Sequence, residues 1–222
     1  MHPVIELKFL ATQSKGEVSA LLMRPDDATH LLVLGHGASS NMRTPLLTTL
    51  AEHLSARKIA TFRYNFPYSE NKRGRDPNPV CVATIRSAVK AAREAAPDLS
   101  LLAGGHSFSG RMTTTAASER PLDNVNGIVL FAFPLHPPGA PDTKRAEHLS
   151  TVTVPMLFLS GSRDQFSEGL IGPTVNRLGM LATLHLLDTA DHSFKILKRS
   201  RASSEDIFDE IARVTAEWAR CL

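Results

Sequence analysis

The sequence predicts an α/β fold in which helices cover both faces of a mostly parallel sheet. Short continuous apolar runs, such as His30–Gly35 and Gly127–Phe133, are typical of strands that are buried on both faces. These runs alternate with segments of helical period, and this alternation indicates parallel strands joined by helices. A hairpin pattern at the start of the chain adds an antiparallel edge to the predicted sheet.

The first two strands are predicted over Val4–Leu10 and Glu17–Met23, on either side of the turn-forming residues Gln-Ser-Lys-Gly at 13–16. The remaining strands are predicted, in order, over residues 30–35 and 59–66, around the apolar run 101–103, and over residues 127–133, 154–160 and 182–187. Helices are predicted over residues 44–57, 80–96, 112–119, 166–178 and 204–220, and residues 68–79 are predicted as a loop.

The last helix has the clearest amphipathic pattern in the chain. Ser203 or Ser204 is the predicted N-cap, because a serine hydroxyl can accept hydrogen bonds from the first free backbone N–H groups of a helix. The predicted buried stripe consists of Ile207, Phe208, Ile211, Val214 and Trp218.

Length and composition limit the class of protein. A chain of 222 residues with 42% hydrophobic residues fits one domain, residues 1–222, with a full core. The net charge of +3 is mild, and we expect neither a nucleic acid nor a membrane as partner. Two cysteines and no signal-peptide pattern lead us to expect a cytoplasmic protein. The sequence is compatible with a homodimer but does not fix an oligomeric state.

The segment 99–113 predicts a strand, a sharp turn and a helix, with Ser107 at the turn. Gly105 and Ser109 flank Ser107 at two residues' distance, and Gly104 and Gly110 lie just outside them. Small residues are needed there because the strand and the helix nearly touch. An alternative is an ordinary glycine-rich turn with no chemical role.

Polar residues at strand ends supply the context for Ser107. In a parallel sheet, chemistry is placed beyond the carboxyl ends of the strands. Asp164 and His192 follow two late strands, so that a serine, an acid and a histidine occur in that order. Asp188 and Asp191 are alternatives for the acid, but as neighbours of His192 in one short loop they are less well placed to orient it.

On these residues the chain resembles the α/β-hydrolase superfamily, whose nucleophile elbow is G-x-S-x-G and whose chain order is serine, acid, histidine. The resemblance extends over essentially the whole chain and is closest to small dienelactone-hydrolase-like members. Thr61–Tyr68, Gly105–Gly110 and Pro134–Gly139 resemble the group that includes testis-expressed protein 30 and a hydrolase-like chromatin-complex subunit. Ser109 departs from the pattern, which has glycine at that position.

The resemblance implies a role for each residue. Ser107 would be the nucleophile, His192 its general base and Asp164 the acid that orients the imidazole. The backbone N–H groups of Ala38 and Phe108 would form the oxyanion hole. No cofactor and no metal are expected, because the chain has no spacing typical of a metal or nucleotide site.

Four further residues are predicted to line a substrate pocket: His136, Tyr64, Asn65 and Leu135. Tyr64 and Asn65 could alternatively belong to the core packing. His36 is expected to brace the oxyanion loop. The basic segment Lys72–Arg75 is predicted to be a solvated loop, with a site edge that attracts anionic substrates as the alternative.

The sequence therefore predicts a serine hydrolase that cleaves a small ester, thioester or related acyl compound through an acyl-serine intermediate. The connection from Phe133 to Val154 is only about twenty residues, too short for a large helical cap, which favours small or water-soluble substrates. The alternative is a hydrolase-shaped interaction module without turnover.

Overall fold

A computed structural model describes residues 2–222. In these residues eight strands form one sheet in the order β1-β2-β4-β3-β5-β6-β7-β8. The strands are β1 (Val4–Thr12), β2 (Gly16–Met23), β3 (His30–Gly35), β4 (Ile59–Tyr64), β5 (Ser100–His106), β6 (Val125–Phe131), β7 (Met156–Gly161) and β8 (Ala182–Leu187). The helices are α1 (Pro45–Ser55), α2 (Pro67–Glu70), α3 (Asn78–Ala95), α4 (Phe108–Glu119), α5 (Ile171–Asn176) and α6 (Ile207–Ala219), with 3₁₀ segments at Lys144–Thr151 and Gly179–Leu181.

The predicted hairpin and parallel sheet are both confirmed. Strand β1 pairs antiparallel with β2, and β2 pairs antiparallel with β4. From β4 across to β8 each neighbouring pair is parallel. The carboxyl ends of the central strands therefore meet at one edge, where Gly35 lies in register with Gly105.

The two faces of the sheet carry separate cores, as the strand period of two requires. In β3, Leu31 and Val33 join the core under α3 and α4, whereas Leu32 and Leu34 join the core under α1 and α6. All four side chains are at most 1% exposed. This burial on both faces explains why the strand reads as a continuous apolar run.

Three local predictions were wrong. The first residues of the predicted loop 68–79 belong to the short helix α2 instead. Pro67 occupies the first turn of this helix, and the N–H groups of Ser69 and Glu70 donate to the Phe66 carbonyl. The predicted helix 166–178 is reduced to α5, since Gly169 has a φ of 72° and interrupts it.

The cap of α6 is the third correction. The helix begins at Ile207, and Asp206 rather than Ser203 or Ser204 is its N-cap. Asp206 Oδ1 accepts hydrogen bonds from the backbone N–H groups of Phe208 (2.8 Å) and Asp209 (3.3 Å). A carboxylate is also favoured at this end by the helix dipole.

The connection between β6 and β7 bears on access to the site. It consists of loops and the 3₁₀ segment Lys144–Thr151, and no helical cap is inserted there. No helix within residues 2–222 combines the length and the apolar character that crossing a bilayer requires.

Candidate active site

Ser107 lies at the sharp turn between β5 and α4. Its backbone has a φ of 54° and a ψ of −111°, a left-handed conformation that is strained for a residue with a Cβ. Strands β5 and β6 also approach each other closely just before the turn, because a Cβ on Gly104 would collide with the carbonyl oxygen of Val129 on β6. Small residues on this strand therefore serve a geometric need, and the hydroxyl of Ser107 is presented at the edge of the sheet.

The structure explains how a serine fits where the usual elbow has a second glycine. Ser109 is fully buried, and its hydroxyl donates to the His106 carbonyl at 3.1 Å. Its side chain occupies the space next to Gly35 on the neighbouring strand, where an added Cβ would lie 2.5 Å from that of Ser109. The missing side chain at Gly35 thus compensates for the additional one at Ser109.

The residues Ser107, Asp164 and His192 come together at the carboxyl edge of the sheet. His192 Nε2 lies 2.9 Å from Ser107 Oγ, and His192 Nδ1 lies 2.8 Å from Asp164 Oδ2. Because a carboxylate only accepts, Nδ1–H donates to Asp164 and Nε2 is left to accept from the serine hydroxyl. This is the arrangement that a general base needs in order to take a proton from Ser107.

Asp164 is held rigidly in this chain of hydrogen bonds. It is fully buried, and its second oxygen, Oδ1, accepts from the Phe166 N–H at 3.0 Å. Both alternative acids have other partners. Asp191 accepts from the N–H groups of Ser193 and Lys195, and Asp188 Oδ2 accepts from the N–H of Ala202.

His192 is also fixed from the other side, by His106, to which the sequence analysis assigned no role. His106 Nε2–H donates to the His192 carbonyl at 2.9 Å, and the two rings lie 5.2 Å apart. Burial lowers the pKa of His106 to about 4, so its imidazole is neutral near pH 7. Its position directly before Ser107, at the end of a central strand, is the signal that could have identified it.

The candidate oxyanion donors are the backbone N–H groups of Phe108 and Ala38. Within residues 2–222 neither N–H donates to another protein group. His36 shapes the Ala38 loop: its Nδ1–H donates to the Gly37 carbonyl at 2.8 Å, and its Nε2 accepts from the Phe66 N–H at 3.2 Å. Burial lowers the pKa of His36 to about 4, which keeps it in this neutral, bridging form.

Two of the predicted pocket residues have structural positions instead. Tyr64 is 1% exposed and belongs to the core under α3. The predicted pocket role of Tyr64 is therefore wrong, and its alternative, core packing, is what the structure shows. Asn65 accepts from the Met42 N–H at 2.9 Å and donates to Glu70 Oε2 at 2.7 Å. It therefore ties the loop before α1 to α2.

The other two, Leu135 and His136, lie behind the site. Both are buried, and their backbone N–H groups donate to the Phe166 carbonyl at 2.9 and 3.2 Å. The Phe166 ring in turn packs on His192, with ring centres 4.2 Å apart. These residues therefore support the ring that packs on the base and do not form the open wall that the sequence predicted.

Two cavities adjoin the site. One, of about 420 Å³, is lined by Phe166, His192 and their neighbours. The other, of about 460 Å³, runs from Ala38 to Arg75. A cavity of about 490 Å³ between α3 and the β6 side contains none of the candidate catalytic residues.

One group of potential metal ligands occurs in the part of the chain that the structure describes: His53, Asp206 and Asp209. His53 Nδ1 already bonds Asp209 at 2.8 Å, and Asp206 caps α6. The group lies between α1 and α6, apart from Ser107, and adds nothing to the chemistry of the candidate site.

The fold and this arrangement define an α/β-hydrolase, and the comparison with known families agrees. Residues 28–220 match the model of the alpha/beta hydrolase domain family, and the chain belongs to that family.

Solved structures share the fold at low sequence identity. A dienelactone hydrolase from Anabaena variabilis is 18% identical with a TM-score of 0.75, and the match covers 99% of each chain. A lid-less a/b serine hydrolase from Xanthomonas campestris is 18% identical with a TM-score of 0.73, over 100% of this chain and 96% of that one. An alpha-beta serine hydrolase homologue from Coxiella burnetii is 17% identical with a TM-score of 0.73, over 98% and 97%.

Proposed function

We propose that this α/β-hydrolase is a serine hydrolase that cleaves small esters or thioesters through an acyl-serine intermediate. The observation that carries the proposal is the continuous chain of hydrogen bonds from Ser107 through His192 to Asp164, at 2.9 and 2.8 Å. A serine hydroxyl is a weak nucleophile at neutral pH, and an oriented imidazole is the group that makes it reactive.

In the acylation step Ser107 Oγ attacks the substrate carbonyl carbon while its proton moves to His192 Nε2. Asp164 stabilises the imidazolium that results. The new negative charge on the carbonyl oxygen is met by the N–H groups of Phe108 and Ala38, which are free to donate. In other enzymes the loss of one such donor costs on the order of 3 kcal/mol of barrier.

The tetrahedral intermediate collapses when the carbon–oxygen or carbon–sulfur bond to the leaving group breaks. His192 gives its proton to the leaving alcohol or thiol. A water molecule then attacks the acyl-serine, its proton passes to His192, and the second collapse returns the proton to Ser107 Oγ and releases the acid.

The short connection between β6 and β7 supports small or water-soluble substrates, because no cap encloses a long acyl chain. The similar Xanthomonas structure is described as lacking a lid.

As further parts of the proposal, residues 1–222 form one domain, the protein acts in the cytoplasm, and it resembles most closely the group that includes testis-expressed protein 30. A homodimer is the oligomer to test first.

Labelling with a fluorophosphonate probe tests the proposal. We expect the intact protein to be labelled at Ser107 and the Ser107→Ala variant to lose all labelling, because only Ser107 Oγ is hydrogen-bonded to the base. Ser109→Ala is the matched control: it removes a serine hydroxyl two residues away and should keep the label.

No labelling of the folded intact protein, or equal labelling of Ser107→Ala, would overturn the proposal. The first outcome would favour an interaction module that has the fold but not the turnover.

A further inference from the structure

Two arginines from separate segments lie at the ring of Phe108, the residue after the candidate nucleophile, and a third, Arg145, belongs to the 3₁₀ segment that contacts α4. The guanidinium carbon of Arg75 lies 5.2 Å from the ring centre, and that of Arg111 lies 5.7 Å from it. Both distances are within the range of cation–π attraction. Burial, followed by the charges of Arg145 and Arg75, lowers the pKa of Arg111.

The fold holds this cluster in place. The Thr114 hydroxyl donates to the Arg111 carbonyl at 2.8 Å, and its oxygen lies 2.8 Å from His148 Nε2, which therefore donates to it. This contact attaches the 3₁₀ segment of Arg145 to α4. Burial and the nearby Arg111 lower the pKa of His148 to about 4, so His148 stays neutral and does not add to the positive charge.

The cluster has no anionic partner within residues 2–222. None of Arg75, Arg111 and Arg145 has a carboxylate oxygen within 4.0 Å or a hydrogen bond from its guanidinium group. The carboxylate next to Arg75 in sequence, Asp76, pairs instead with Lys15 at 2.7 Å. Arg75 is exposed and Arg111 is half-buried, and their two guanidinium groups at one ring form a concentration of positive charge that a bound anion would relieve.

The position of the cluster connects it to the chemistry. Phe108 supplies one candidate oxyanion donor from its backbone and holds two guanidinium groups on its ring. The other candidate donor, Ala38, shares the walls of the 460 Å³ cavity with Arg75. A molecule whose carbonyl oxygen meets these N–H groups can therefore extend directly towards the arginines.

We infer that the substrate carries a negatively charged group, a carboxylate or a phosphate, that Arg75 and Arg111 bind. This inference rests on the proposed hydrolase function and names its substrate class. The planar, multiply donating guanidinium group matches both kinds of anion. The basic segment Lys72–Arg75 is exposed, as predicted for a solvated loop, and Arg75 alone of its residues lies over the Phe108 ring.

Matched pairs of charged and neutral substrates test the inference. On the acyl side, 4-nitrophenyl hydrogen glutarate is compared with 4-nitrophenyl pentanoate. On the leaving-group side, acetyl-coenzyme A is compared with S-acetyl-N-acetylcysteamine. In at least one pair we expect kcat/KM to favour the charged member by about tenfold or more, as a charge-assisted hydrogen bond would give.

The variants locate the preference. The ratio of kcat/KM for the charged member to kcat/KM for the neutral member should fall towards one in the double variant Arg75→Gln, Arg111→Gln. Turnover of the neutral member shows that this variant is folded. Arg57→Gln removes the same charge from an exposed arginine at the opposite edge of the sheet and should leave the ratio unchanged. Added salt should reduce the ratio in the wild-type protein.

A ratio near one in both pairs, or a preference that survives the double variant, would overturn the inference. A binding measurement keeps the two proposals apart. Ser107→Ala cannot turn over, and its titration with monomethyl glutarate should give heat that is lost when Arg75→Gln and Arg111→Gln are added to it. Binding without fluorophosphonate labelling of the wild type would retain the anion site and reject the hydrolase. Fluorophosphonate labelling of the wild type, without monomethyl glutarate binding or a preference for charged substrates, would retain the hydrolase and reject the anion site.

Discussion

At the residue scale, the orientation of His192 depends on a single buried carboxylate. Replacing Asp164 with asparagine keeps the volume but removes the charge that holds Nδ1 protonated. We expect kcat for 4-nitrophenyl acetate to fall by about 10⁴, the size of effect seen when a triad acid is replaced by its amide.

The matched control is Asp191→Asn, which changes the neighbouring acid in the His192 loop. An asparagine there can still accept from the N–H groups of Ser193 and Lys195, so kcat should remain near the wild-type value. If Asp191→Asn lost as much activity as Asp164→Asn, the assignment of the orienting acid would be wrong.

The sequence could predict Ser107, Asp164 and His192 as candidate catalytic residues because each lies just past a strand. The carboxyl ends of parallel strands lie at the same edge of the sheet. The sequence could not separate Tyr64 from a pocket wall, because strand β4 is buried on both faces and either side would look apolar. The role of His106 was also hidden, because its hydrogen bond reaches 86 residues along the chain.

At the element scale, the start of α6 depends on Asp206. Its carboxylate accepts from two free N–H groups at the first turn, so Asp206→Ala should lower the free energy of unfolding by about 1 kcal/mol. Denaturant titration with fitted midpoints and slopes measures this change.

Ser204→Ala is the control for this helix, since Ser204 is exposed and was one of the two caps expected from the sequence. Its effect should lie within about 0.5 kcal/mol of zero. A larger loss in Ser204→Ala than in Asp206→Ala would contradict the observed cap. The sequence predicted a serine cap at 203 or 204, and the backbone geometry instead makes Asp206 the cap.

Element boundaries in general needed the structure. The core-facing pattern predicted helices α1, α3 and α6 to within a few residues, because each buries a stripe against the sheet. The helix predicted over residues 166–178 is shorter in the structure, because the positive φ of Gly169 interrupts it and only Ile171–Asn176 remains helical.

At the scale of the whole molecule, buried neutral histidines make stability depend on pH. Burial lowers the pKa of His36 and of His106 from 6.5 to about 4. As the pH falls below about 6.5 the unfolded chain binds these protons first, so stability is full above that pH and is lost as the pH approaches 4. Each of the two contributes roughly 2 to 3 kcal/mol of this loss by pH 4.5.

Urea unfolding at pH 7.5 and pH 4.5 measures this effect. In His36→Asn one histidine with a lowered pKa is absent, so the loss of stability between the two pH values should be smaller than in the wild-type protein. Carboxylates titrate equally in both proteins and cancel in the comparison. An identical loss in both would show that His36 does not couple folding to protonation.

The short link between β6 and β7 also has a kinetic consequence. Because this connection has no helical cap that must move aside, we expect substrate entry and product release at the partly exposed Ser107 to need no gate. In a hydrolase of this form, water can reach the acyl-serine without a conformational change. It must then discriminate between substrates by what the walls of the cleft attract, and not by closing over the correct one.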